Sequence, residues 1–138
     1  MDLDRIKSFF KDDRYCFVNG IEIVEVTKDY AVCRAQITNS HLNANNTVQG
    51  GFTFTLADFA FAVHSNSVLG RWTVSQNVNI SYIRPPKGKM LFAKAEPVHI
   101  GKSTVLYRVE VYDELNTKVA CVTANGYVLG ENAALKNL

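Results

Sequence analysis

Gly50 and Gly51 open the run GGFTFTLADFAFAVHSNSVL, and that run holds one acid, Asp58, the only carboxylate between Asp29 and Glu96. Paired glycines let another molecule approach the backbone closely. If they also start a helix, the first N–H groups have no partner inside it, and the peptide dipoles add partial positive charge there. Such a terminus suits a carbonyl oxygen that gains negative charge during a reaction. Asp58 sits among Leu56, Ala57, Phe59, Ala60 and Phe61, where a carboxylate costs free energy unless something uses it. An electrophilic backbone group and an isolated acid together suggest acyl chemistry.

The elements that must hold these groups follow from patterning. Asn43–Leu69 reads as a loop running into one long helix, apolar on nearly every side and therefore buried. Thr53, Thr55, Asp58, His64, Ser65 and Asn66 interrupt it, so it is not a membrane span. Before it, Asp4–Phe10 suits a short helix, Lys11–Tyr15 a polar loop, and Ile21–Val26 with Tyr30–Ile37 a β-hairpin. Thr38–Gln49 is a polar loop in which His41, Asn43 and Gln49 are candidates for the site, although such residues also form turns.

Four more strands follow: Val74–Arg84, Met90–Ile100, Thr104–Tyr112 and Lys118–Leu129. In the first, Val74, Gln76, Val78, Ile80 and Tyr82 are expected on one face. Pro97 implies an edge or a bulge late in the second. Short turns make the strands antiparallel. The expectation is an α+β fold in which a curved antiparallel sheet wraps one long central helix, with a short N-terminal helix. The 138 residues form one domain, in which 1–14 are the N-terminal helix and loop and 131–138 a loose tail.

A net charge of +2 with dispersed Lys and Arg gives no case for a nucleic-acid partner. Cys16, Cys33 and Cys121 are widely spaced without a CxxC pair, and they read as buried, reduced thiols of a cytoplasmic protein. No spacing of His, Cys or acids suggests a metal. His64 lies about 120° around the helix from Asp58 and is expected to be structural.

The Asn-containing loop, TVQGGFTFTLADFAFAVHSNS, the following SQNVNISYIRPP and the later turn HIGKST resemble the hotdog fold, and within it the PaaI-type acyl-CoA thioesterases. The resemblance covers about residues 15–130. It implies hydrolysis of acyl-CoA thioesters with no cofactor beyond the coenzyme A of the substrate. Gly50 would offer its N–H to the thioester oxygen, Asp58 would be nucleophile or general base, and Asn43 would hold the attacking water or the carboxylate. Gly51 and either Ser75 or Gln76 would line the site, and Arg84, Lys102 and Ser103 would contact coenzyme A. Many relatives have His where this chain has Gln49, which bonds but does not titrate near neutrality.

A hotdog enoyl-CoA hydratase and a non-catalytic acyl-CoA sensor are the alternatives. Gly50 and Asp58 are eight residues apart, about 12 Å along a helix, whereas one thioester needs both within roughly 7 Å, about 3 Å per contact. Two subunits are therefore expected to share each site, in a homodimer or a pair of dimers. That agrees with the resemblance, since hotdog thioesterases are dimers or pairs of dimers; no membrane or nucleic-acid partner is expected for this chain.

Overall fold

Small residues on one face of a sheet leave room for a helix, and this chain supplies them strand by strand. The computed structural model describes residues 1–138. Its elements are α1 (Leu3–Phe10), α2 (Arg14–Val18), β1 (Ile21–Val26), β2 (Ala31–Gln36), α3 (Gly50–Leu69), β3 (Arg71–Tyr82), β4 (Met90–Ile100), β5 (Thr104–Asp113) and β6 (Lys118–Glu131). The strands form one antiparallel sheet in the order β1-β2-β4-β5-β6-β3. Ala31, Ala35, Ala93, Ala95, Ala120 and Ala124 are all buried. At Gly126 even a Cβ would meet the Phe61 ring at 2.7 Å. The sheet therefore curves around α3, as the hotdog resemblance implies. No helix is long and apolar enough to cross a membrane.

Bulges supply much of the curvature, since an extra residue bends and twists its strand. They fall at Val24, Gln76 and Val98, where the registers slip. Pro97 is tolerated because β2 pairs with β4 only as far as Ala95, so the missing N–H has no ladder partner to serve. The ends of α3 are fixed as its sequence suggests. Gly70 closes it in the left-handed region at φ 58°, and the Asn66 carboxamide bonds both the N–H and the C=O of Thr73, aligning β3 with the helix.

Three expectations need correction. The segment assigned to a loop at Lys11–Tyr15 turns into α2, started by the Asp13 carboxylate, which accepts from the Cys16 N–H at 3.1 Å. Residues 131–138 are no loose tail: Leu135 is fully buried, Asn132 donates its N–H to Gly70, and Arg5 bonds the carbonyls of Ala133 and Ala134. Cys121 is exposed rather than buried, while Cys16 and Cys33 are buried as expected.

Asp113 ties two turns together. One carboxylate oxygen accepts from the N–H groups of Lys87 and Gly88 at 2.8 and 2.9 Å, the other from Leu115 and Thr117 at 3.0 and 2.8 Å. Burial raises its pKa, but these bonds outweigh it and hold the group down at about 2. Because the folded value lies below the unfolded one, its stabilisation is complete above pH ~4 and lost as pH falls through about 2. Asp113→Ala leaves four N–H groups without an acceptor and is expected to cost about 3 kcal/mol in urea denaturation at neutral pH. At pH 2 the difference from wild type should shrink.

Candidate active site

The N-terminus of α3 is built by the loop before it. Asn43 Oδ1 accepts from the N–H of Asn45 and of Thr47 and from the Thr47 hydroxyl, at 2.9, 3.2 and 3.2 Å. His41 is buried, stacked on Phe52 with ring centres 3.8 Å apart, and its Nδ1 accepts from the Thr38 N–H. Burial lowers its pKa. Both residues shape the loop. The amide NH₂ of Asn43 is left without a partner.

Gln49 is the N-cap of α3, its side-chain oxygen accepting from the Gly51 N–H. A Cβ at Gly51 would lie 2.7 Å from that oxygen, so glycine is what permits the cap. The Gly51 N–H is therefore already used. Phe52 and Thr53 N–H both reach the Gln49 carbonyl, so the Gly50 N–H alone in this first turn has no acceptor. The Gln49 amide NH₂ beside it is likewise free. Two donors thus converge where the helix dipole adds positive charge.

Tyr82 closes this end. Its hydroxyl donates to the Gly50 carbonyl at 2.9 Å, and its ring lies 3.0 Å from where a Gly50 Cβ would stand. A cleft of about 360 Å³ runs from Gly50 past Tyr82 to Arg84 and Pro85. Sequence reasoning missed Tyr82. Its only signal was the expected inward face of β3.

Asp58 lies further along α3, with Oδ1 buried and lacking any hydrogen-bond partner. Burial raises its pKa, a Ser75 hydrogen bond works against the rise, and the Asp13 charge adds to it. Ser75 reaches this side because of the bulge at Gln76. In β3, Ser75 pairs with Gly126 and Val78 with Ala124, both on the helix face of β6, with Gln76 skipped between them. The bulge reverses the expected alternation: Val74 is 48% exposed rather than facing inward with Val78 and Ile80. Of the two neighbours, Ser75 is the one whose hydroxyl bears on the Asp58 carboxyl.

The remaining candidates divide between the two ends of the sheet. Arg84 follows Tyr82 at the Gly50 end. Lys102 and Ser103 form the β4–β5 turn at the opposite end, where the Ser103 carbonyl accepts from the Val128 N–H. Ser75 is close to that second end, since both it and Val105 pair with Gly126. Tyr82 and Ser75 are seven residues apart on one strand, about 20 Å. The candidates of one chain therefore fall into two groups, Asn43, Gln49, Gly50 and Arg84 at one end of the sheet, and Asp58, Ser75, Lys102 and Ser103 toward the other. His64 joins neither; it is fully buried, with Nδ1 2.7 Å from the Tyr107 hydroxyl.

Comparison with known proteins shows the family and the fold. The family model described as Thioesterase superfamily matches residues 45–120. The acyl-coenzyme A thioesterase PaaI of Escherichia coli is 31% identical over 124 residues, which cover 89% of this chain and 88% of that protein. The solved structure of the E. coli PaaI protein from the phenylacetic acid degradation operon superimposes with a TM-score of 0.87 at 28% identity, over 94% of both chains. A hypothetical thioesterase protein from Streptococcus pneumoniae, solved with coenzyme A, gives a TM-score of 0.81 at 26% identity, over 90% of this chain and 99% of that one.

Proposed function

The chain belongs to the thioesterase superfamily as a PaaI-type hotdog member, and from that premise we propose that Asp58 is the general base and the Gly50 N–H the oxyanion donor of its reaction. It is an acyl-CoA thioesterase. The observation that carries the assignment is the buried Asp58 carboxyl oxygen that nothing in the chain satisfies. Its raised pKa makes it a stronger base than an ordinary carboxylate.

In this mechanism Asp58 removes a proton from a water molecule, which adds to the thioester carbon. The carbonyl oxygen becomes an oxyanion held by the Gly50 N–H and the Gln49 amide. The tetrahedral intermediate expels the coenzyme A thiolate, and the proton on Asp58 returns to it. The Ser75 hydroxyl helps orient the water. Arg84 on one side and Lys102 with Ser103 on the other are the groups available to coenzyme A, with which the S. pneumoniae protein was solved.

The two groups of residues meet in one site if β3 pairs with β3 of a second copy. β3 is an edge of the sheet, and its Trp72, Val74 and Tyr82 are 46, 48 and 55% exposed. Antiparallel pairing about a two-fold axis turns the Tyr82 end of one strand toward the Ser75 end of the other. Gly50 of one subunit then faces Asp58 of its partner.

Release of free thiol from a panel of acyl-CoAs tests the reading directly; binding without thiol release would sink it in favour of a sensor. Gln49 acts in this mechanism as a hydrogen-bond donor to the oxyanion and not as an acid or base. Gln49→His should leave turnover within about tenfold, a difference of ~1 kcal/mol, and add no titration near pH 6.5. A new limb in the pH profile there would show that this position transfers protons.

A further inference from the structure

α2 has no part in the mechanism above, yet it packs on α3, the helix that carries the reacting carboxyl. The Asp58 charge is among the influences, after burial and Asp13, that push the Cys16 thiol up to about 12. Cys16 also lines a cleft of about 470 Å³ between α1, α2 and β1. The apolar wall of that cleft includes Phe10, Phe17, Ile21, Ile23 and Phe59. Phe59 follows Asp58 in α3, and Phe10 packs edge-on against it at 5.6 Å. Catalytic carboxyl and cleft wall are thus consecutive residues of one helix. The polar members of the lining, Lys7, Lys11, Glu22 and Arg34, are all exposed, and Arg34 is paired with Glu22 at 2.9 Å.

A thioester carbon held at Asp58 must send its acyl group somewhere, and the next residue of the same helix, Phe59, walls this apolar space. We propose that the cleft takes the far end of the acyl group, that the preferred substrates are straight-chain thioesters of medium to long length, and that Cys16, Phe17 and Phe59 set the length accepted. The proposal rests on the thioesterase reading above. An acetyl group would not enter the cleft, and a single aromatic ring would leave most of it empty. At roughly 30 Å³ for a water-sized group, about fifteen methylenes would find room in the 470 Å³. Each one that leaves water is worth about a fourfold gain in binding.

The test compares acetyl-CoA, phenylacetyl-CoA and decanoyl-CoA on wild type, Phe17→Asp and Cys16→Phe. Phe17 is 71% exposed, so Phe17→Asp should fold; Cys16→Phe fills the cleft from within and is checked by its melting curve. In wild type, kcat/KM should be highest for decanoyl-CoA. In each folded variant the ratio of kcat/KM for decanoyl-CoA to that for acetyl-CoA should fall at least tenfold. An unchanged ratio in Phe17→Asp, or a wild-type preference for phenylacetyl-CoA, overturns the proposal. Calorimetric titration with decanoate adds a readout that needs no turnover: wild type should bind it and Phe17→Asp should bind it at least tenfold more weakly. Decanoate binding of that kind without thiol release from any acyl-CoA would keep the cleft and discard the thioesterase reading. Thiol release with no decanoate binding would do the reverse.

Discussion

Replacing Asp58 with Asn will lower kcat for acyl-CoA hydrolysis by at least about 10²-fold, the low end of what a positioned general base supplies. The substitution keeps the shape of the side chain and removes its charge. It should not unfold the protein. Burial raises the Asp58 pKa in the fold, so the ionised form is disfavoured there relative to the unfolded chain. The group therefore lowers stability as pH rises past its unfolded value, and Asn removes that cost. At neutral pH the melting temperature of Asp58→Asn should equal or exceed that of wild type. In wild type, kcat/KM should fall on the acid side with an apparent pKa above the ordinary aspartate value. Near wild-type turnover in Asp58→Asn, with a normal melt, would remove this residue from the mechanism.

A mixture of two dead proteins should regain activity. Gly50→Pro removes the one first-turn N–H that has no acceptor, at a helix position that tolerates proline. Gln49 before it is extended, with φ −63° and ψ 131°, as a residue preceding proline must be. The Tyr82 ring must yield by a few tenths of an ångström to the new Cβ, so folding is checked first. In a mixed dimer of Gly50→Pro and Asp58→Asn, one site collects both lesions and the other neither. Refolding equal amounts together should make about half the dimers mixed and restore roughly one quarter of wild-type turnover. A mixture that exchanges subunits and stays dead rejects the shared site.

Much of the fold was legible because its elements follow one-dimensional rules. α3 is apolar all round because sheet and neighbouring helices cover it, and the strands alternate because one face is buried. Asp58 stood out because the residues beside it leave a charge no solvent. The features that escaped depend on the third dimension. α2 is five residues long, RYCFV, with no period to detect, and Asp13 as its cap looks like any loop acid. The bulge at Gln76 carries no glycine or proline, yet it decides that Ser75 rather than Gln76 bears on the Asp58 carboxyl. Asn132 and Leu135 are buried because Gly70 and Arg5 receive them, contacts more than sixty residues distant in the chain. The separation of Arg84 from Lys102 follows from topology, since successive antiparallel turns lie at opposite ends of a sheet.

The edge strand β3 has no charge and no proline from Trp72 to Tyr82, so it lacks the usual protection against sticking to other sheets. If the site is divided between subunits as proposed, that protection cannot be added without loss. In that arrangement a lysine or proline placed on β3 to keep the lone chain soluble would also block the pairing that completes the site. Solubility of the newly made chain and competence of the finished enzyme are then opposed at the same dozen residues. Partner capture must then outrun aggregation, which makes the abundance of the protein in the cell, and not only its sequence, a determinant of how much of it is active.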